Sequence, residues 1–120
     1  MPFTNLLREL VSSIEGATGA LVVEEDGEAV QWYAPAGAER LRLRCAYVVN
    51  VLQSCRAASA RLNLAETGYL TISYDGANFV AQEVSPGYYL LLEMGSSVNI
   101  APAVYRFKQM LPEARALFEE

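Results

Sequence analysis

Three arginines at alternate positions, Arg40, Arg42 and Arg44, form the densest cationic cluster in a chain that contains no histidine. A guanidinium at the start of a helix can donate to a phosphate during phosphoryl transfer, or meet a carboxylate on an acidic partner. On a helix Arg42 falls on the polar side, while Arg40 and Arg44 can extend from an apolar flank into water, so a solvated helix end also accounts for all three. They stand as weak candidates for partner contact. Cys45 and Cys55 lie ten residues apart, about 15 Å at the rise of an α-helix, and cannot bond to each other within one chain. Two readings stay open for them. Helices of two copies crossing antiparallel near Asn50 would bring Cys45 to Cys55 of the other copy; alternatively, both are small buried hydrophobes in a reducing compartment. The acidic run from Glu24 to Glu28 lacks the alternating ligand spacing of a calcium loop and reads as a solvated hairpin tip. Trp32 and Tyr33 are either an exposed aromatic anchor or, for one of the two, core.

The rest of the inventory excludes more than it offers. Without histidine the commonest general base and metal ligand is missing, and two cysteines alone do not make a zinc site. No catalytic residue, cofactor or metal is expected. The formal net charge is −5, with only nine basic residues, which argues against a nucleic-acid partner. The longest uncharged stretch, Met94 to Tyr105, is too short to span a bilayer and is broken by Gly, Ser, Asn and Pro. No basic segment followed by an apolar run opens the chain, so a cytoplasmic location is expected. At 120 residues, 52% apolar and 19% charged, one folded domain over 1–120 is expected.

The elements that must carry these residues follow from periodicity. Phe3, Leu6, Leu7, Leu10, Val11 and Ile14 recur at helical spacing, with Thr4 as the expected N-cap and Gly16 as the stop. Ala20–Val23 and Glu28–Tyr33 read as strands around Asp26-Gly27, a hairpin dipeptide expected to take φ > 0 at both positions. A long helix follows, from about Glu39 to Leu64. Its apolar stripe is Leu41, Cys45, Val48, Leu52, Cys55, Ser59 and Leu62; Tyr47, Val51 and Ala58 widen it on one flank and Val49 on the other. The apolar arc is then about 200°, twice what a helix resting on one sheet needs. The excess predicts a second partner, most simply the same helix of another copy. Tyr69–Tyr74 and Asn78–Val84 form a second hairpin around Asp75-Gly76. Pro86-Gly87 suits a type II turn into Tyr88–Met94, a central strand buried on both faces. The last helix starts at Asn99 as N-cap, and Pro112 is expected to kink or split it. These elements make an α+β domain of order α-β-β-α-β-β-β-α, a five-stranded antiparallel sheet with helices on both faces.

That order resembles the Roadblock domain, the fold of Roadblock-type dynein light chains and of bacterial MglB-type regulators of Ras-like GTPases. The likeness covers nearly the whole chain. It rests on the first helix leading into Gly16-Ala17-Thr18-Gly19-Ala20-Leu21-Val22-Val23, the Asp26-Gly27 hairpin, the long Ala-rich second helix, and Ser96-Ser97-Val98-Asn99-Ile100 opening the last one. The resemblance implies a homodimer or heterodimer in which the second helices pack antiparallel and the third strands pair edge to edge. The implied interface is Leu41, Cys45, Val48, Leu52 and Cys55 on the helix with Tyr69, Thr71 and Ser73 on the strand. It also implies a non-enzymatic regulator of a small Ras-like GTPase, acting by positioning the GTPase's own residues, which suits a chain without a nucleophile–base pair. A structural adaptor subunit is the alternative, and a small-molecule sensor ranks last because few polar residues are available to line a pocket.

Overall fold

The structure, a computed structural model, describes residues 2–64, 68–74 and 76–119. The elements run α1 (Pro2–Ser12), β1 (Ala17–Glu24), β2 (Ala29–Tyr33), α2 (Glu39–Arg61), β3 (Leu70–Tyr74), β4 (Ala77–Ser85), β5 (Tyr88–Gly95) and α3 (Ile100–Leu117). The five strands form one antiparallel sheet in the order β2-β1-β5-β4-β3. This is the expected α+β architecture. β5 is central and β3 lies at an edge, because the run of apolar residues in Tyr88–Met94 needs cover on both faces while the Tyr- and Thr-rich β3 does not.

Strand alternation divides the core in two. β5 sends Leu90, Leu92 and Met94 toward α1 and α3, and Tyr89 and Leu91 toward α2. On the first face Leu6, Leu7 and Leu10 of α1 and Ala103, Phe107 and Met110 of α3 close over Val22, Val80 and Leu92. Arg106 clamps the two helices together, donating from Nε to Ser13 Oγ (2.9 Å) and from its Nη2 to Glu9 Oε1 (3.0 Å). On the other face Leu41, Cys45, Val48, Val49 and Leu52 of α2 settle on Leu21, Val23, Phe79, Tyr89 and Leu91.

Several boundaries differ from expectation, each for a local reason. Thr4 is not a cap: α1 already begins at Pro2, a residue suited to a first turn, and so carries Phe3 into the buried face. Gly16 stands past the helix, which ends at Ser12, in the turn that enters β1. At the first hairpin only Gly27 has positive φ (+89°). Gly27 N–H bonds to Glu24 O (2.8 Å) and Glu24 N–H to Glu28 O (2.9 Å), the pattern of a type I turn closed by a left-handed glycine. α2 stops at Arg61 rather than Leu64 because Asn63 turns left-handed (φ +56°). Leu64 N–H then reaches back to Ser59 O (2.9 Å), which satisfies a terminal carbonyl in a Schellman closure. The Asp75 half of the expected second turn lies outside the described residues. Gly87, at φ +79°, fits the third position of the Pro86-Gly87 type II turn.

Asn99 caps α3 as expected, accepting from Ala101 N–H at 3.2 Å. Pro112 does not split this helix, which is continuous to Leu117. Its ring is on the exposed side, where the carbonyl left without an N–H partner can bond to water.

Candidate functional site

The 23-residue helix α2 holds the residues in question, and the structure shows which way each turns. Leu41, Cys45, Val48 and Leu52 point inward and are fully covered by the chain's own sheet. They belong to this chain's core, and Cys55 is half-buried at the margin. The apolar surface that α2 leaves uncovered is the flank beside them. Leu43 is 71% exposed, Tyr47 66% and Val51 44%, an i, i+4, i+8 series along one side of the helix. Leu62 and Leu64 extend it past the C-terminus. Tyr47 and Val51 were legible as a flank in the sequence. Leu43 joins the same flank through its four-residue spacing from Tyr47.

The cross-copy cysteine pair is excluded by the same packing. Cys45 lies under α2 with Sγ 2.8 Å from Arg42 O and 3.7 Å from Gly27 O, facing the β1–β2 hairpin. Burial pushes its thiol up to about 11, with the Arg42 charge pulling partly the other way. It is an unreactive core thiol.

β3 is an edge strand and, among the described residues, pairs only with β4. Leu70 and Ile72 lean toward the α2-side core but are only partly covered, and Tyr74 is exposed. Tyr69, just before the strand, and Thr71 and Ser73 within it, the strand residues that the resemblance implies for an interface, are exposed. Ser73 Oγ donates to Asn78 Oδ1 (2.7 Å), and Lys108 Nζ sits 5.1 Å from the Tyr69 ring centre. The outer backbone edge of β3 and the outer flank of α2 are thus both left uncovered within the chain.

The arginine cluster is divided among three tasks. Arg44 reaches under α2 to Glu93 Oε2 (3.0 Å), and Thr18 Oγ1 donates to the other carboxylate oxygen. Glu93 is buried in central strand β5, so this pair neutralises a charge that the sheet could not otherwise hold. The Arg44 guanidinium also lies 5.9 Å from the Tyr74 ring centre. Arg42 stacks over Trp32 at 4.1 Å. Arg40 alone of the three has neither an ion pair nor a ring contact among the described residues. Trp32 and Tyr33 part company: Tyr33 packs against the α1–α3 core, and Trp32 remains 40% exposed. Glu93 was unreadable as a site residue in sequence, since its partner is 49 positions away.

Among the described residues no group of three or more acidic, Cys or His side chains could hold a metal ion, and no helix is long and apolar enough to cross a membrane. The sequence matches no family model and no curated protein. Its structure, by contrast, is shared. A Roadblock/LC7 domain from Streptomyces avermitilis superposes with a TM-score of 0.83 at 16% identity, over 96% of each chain. MglC from Myxococcus xanthus gives 0.70 at 27% identity, over 97% of this chain and 98% of that one. MglB from Myxococcus xanthus gives 0.78 at 11% identity, over 98% and 97%. Strand order, helix placement and nearly full-length superposition together identify the architecture as the Roadblock/LC7 fold.

Proposed function

We propose that this protein is a dimeric, non-enzymatic regulator of a small Ras-like GTPase. The observation that carries the reading is that the Leu43–Tyr47–Val51 flank of α2 and the β3 edge are both uncovered. An uncovered apolar stripe and an unpaired strand edge are costly in an isolated chain, and a second copy related by a two-fold axis covers both at once. In this reading the helix contact is made by Leu43, Tyr47 and Val51 with Cys55 at the margin, and the strand contact by Tyr69, Thr71 and Ser73. Likeness to MglB and MglC supports the regulatory part, as does a sequence without a histidine to serve as general base. Such a regulator contributes no catalytic side chain and instead holds the GTPase's own groups in place. Arg40, exposed in solvent, can also meet an acidic partner.

Sedimentation velocity tests the dimer. Wild type should sediment as a dimer, and Tyr47→Glu with Val51→Glu as a folded monomer. Replacing Val48 or Leu52 would not make this test, because both residues hold the chain's own core. Capture from native lysate, with a non-hydrolysable GTP analogue or with GDP, tests the partner. A small GTPase retained only with the analogue is expected. Identical partners in both lanes would replace the regulator with a structural adaptor.

A further inference from the structure

The sheet has a second edge, β2, on the side away from β3. Its register with β1 pairs Val22 with Gln31 and Val23 with Ala29, which leaves Val30 as an extra residue in a bulge. Regular edge backbone is thereby confined to Gln31, Trp32 and Tyr33. Each aromatic of this short edge carries an arginine from a different helix. Arg42 of α2 stacks on Trp32 at 4.1 Å on one face of the sheet, and Arg8 of α1 lies 5.7 Å from the Tyr33 ring centre on the other. Neither arginine is in an ion pair among the described residues; Arg8 makes one long bond, 3.4 Å, to Asn5 Oδ1. A guanidinium resting over a ring leaves N–H groups free to donate to a carboxylate. Val30 and Trp32, each 40% exposed, supply apolar surface beside them.

Charge along the edge is polarised. Glu25, Asp26 and Glu28 surround its hairpin end, and Glu39 lines the same hollow as Glu28 and Arg42. Arg8 stands at the opposite, Tyr33 end, and Arg42, over Trp32, lies between it and that acidic hollow. We propose that this edge binds, by strand addition, a short extended peptide segment of a partner protein. The segment is acidic where it meets Arg8 and Arg42, apolar beside Val30 and Trp32, and neutral or basic beside Glu28. Main-chain pairing over so few residues gives little affinity, so the two carboxylate–guanidinium contacts select the segment and its direction. This edge lies across the sheet from β3, and Leu43 of the α2 flank borders it, lining the same hollow as Glu28 and Arg42.

A nitrogen-15-labelled NMR titration of the whole chain tests it, with the blocked peptide Lys-Ser-Val-Thr-Val-Glu-Asp-Glu as probe. Amide shifts at Gln31, Trp32 and Tyr33 and at the Trp32 indole N–H are expected, with the β3 amides unmoved. Replacing the three acidic residues of the probe by lysine should weaken binding about tenfold, as expected for the loss of two partly exposed charge pairs. Arg42→Glu should do the same while its circular dichroism stays that of wild type. The proposal is overturned by absence of shifts at Gln31–Tyr33 or by equal binding of the lysine probe. Shifts at β3 in their place overturn it too, as does concentration-dependent shifting of Gln31–Tyr33 without peptide, which would give this edge to a second copy.

Discussion

The two faces of this sheet are covered to different extents. One lies beneath α1 and α3, which touch each other along their length and are tied by Arg106. The other has α2 alone, seated over β1, β5 and β4 and leaving the β3 side open. The two-helix face is complete within the chain. The one-helix face uses the inner half of an apolar helix and leaves the outer half without cover. The difference shows where stability is held and where association is to be sought.

The largest expected effect lies on the complete face. Phe107, fully buried in α3, should cost about 3–5 kcal/mol when truncated to Ala, as measured by urea unfolding at low protein concentration. Tyr47→Ala, on the outer half of α2, should change that unfolding by less than about 0.5 kcal/mol while shifting the sedimentation profile. Equal losses at the two positions would erase the contrast between the faces.

Arg44→Ala comes next. It leaves Glu93 buried without its cation and should cost about 3 kcal/mol, whereas Arg44→Ala combined with Glu93→Gln should recover a good part of that. Thermal melts of the three proteins decide it.

Alkali sharpens the comparison on the α2 face. The Cys45 thiol is pushed up to about 11 when folded, from an ordinary value of 9.0. Above the lower value the unfolded chain releases a proton that the folded chain keeps, so unfolding becomes easier with rising pH. The stability held by the neutral thiol should be intact below about pH 9 and lost by about pH 11, at most about 2–3 kcal/mol. Cys45→Ala should flatten that slope in a pH series of urea midpoints. A small effect belongs also to Arg56, whose pair with Glu83 (2.6 Å) is about a third exposed on each side. Arg56→Ala should lower stability by less than about 1 kcal/mol, and salt should reduce the effect further.

Much of the fold was legible because local chemistry and global arrangement agree. Asn99 before an apolar helix, Pro86-Gly87 between two strands and the apolar run of Tyr88–Leu92 each mean one thing. What periodicity could not resolve was orientation within a wide apolar arc. The stripe from Leu41 to Leu52 and the flank from Leu43 to Val51 are both apolar and both helical in spacing. Only the sheet decides which half is inside, and it takes the stripe containing the small Cys45, where α2 comes close to the hairpin at Gly27. Glu93 escaped notice for a related reason. A carboxylate in a central strand is tolerable only with its cation, and that cation comes from a distant helix. Asn63 shows the reverse, a local signal passed over, since asparagine readily takes the left-handed turn that ends a helix.

The order β2-β1-β5-β4-β3 has a consequence for how the chain finds this shape. Each hairpin closes over a few residues, but the two halves of the sheet meet only where β1 lies against β5. Thr18 and Glu93, which face each other across that seam, are 75 positions apart. Closing so long a loop costs entropy before any pairing repays it. The hairpins and helices should therefore form first as separate pieces, with the β1–β5 seam as the slow step, and amides along Leu21–Val23 and Leu90–Leu92 should be the last to gain protection in a pulsed hydrogen-exchange refolding experiment.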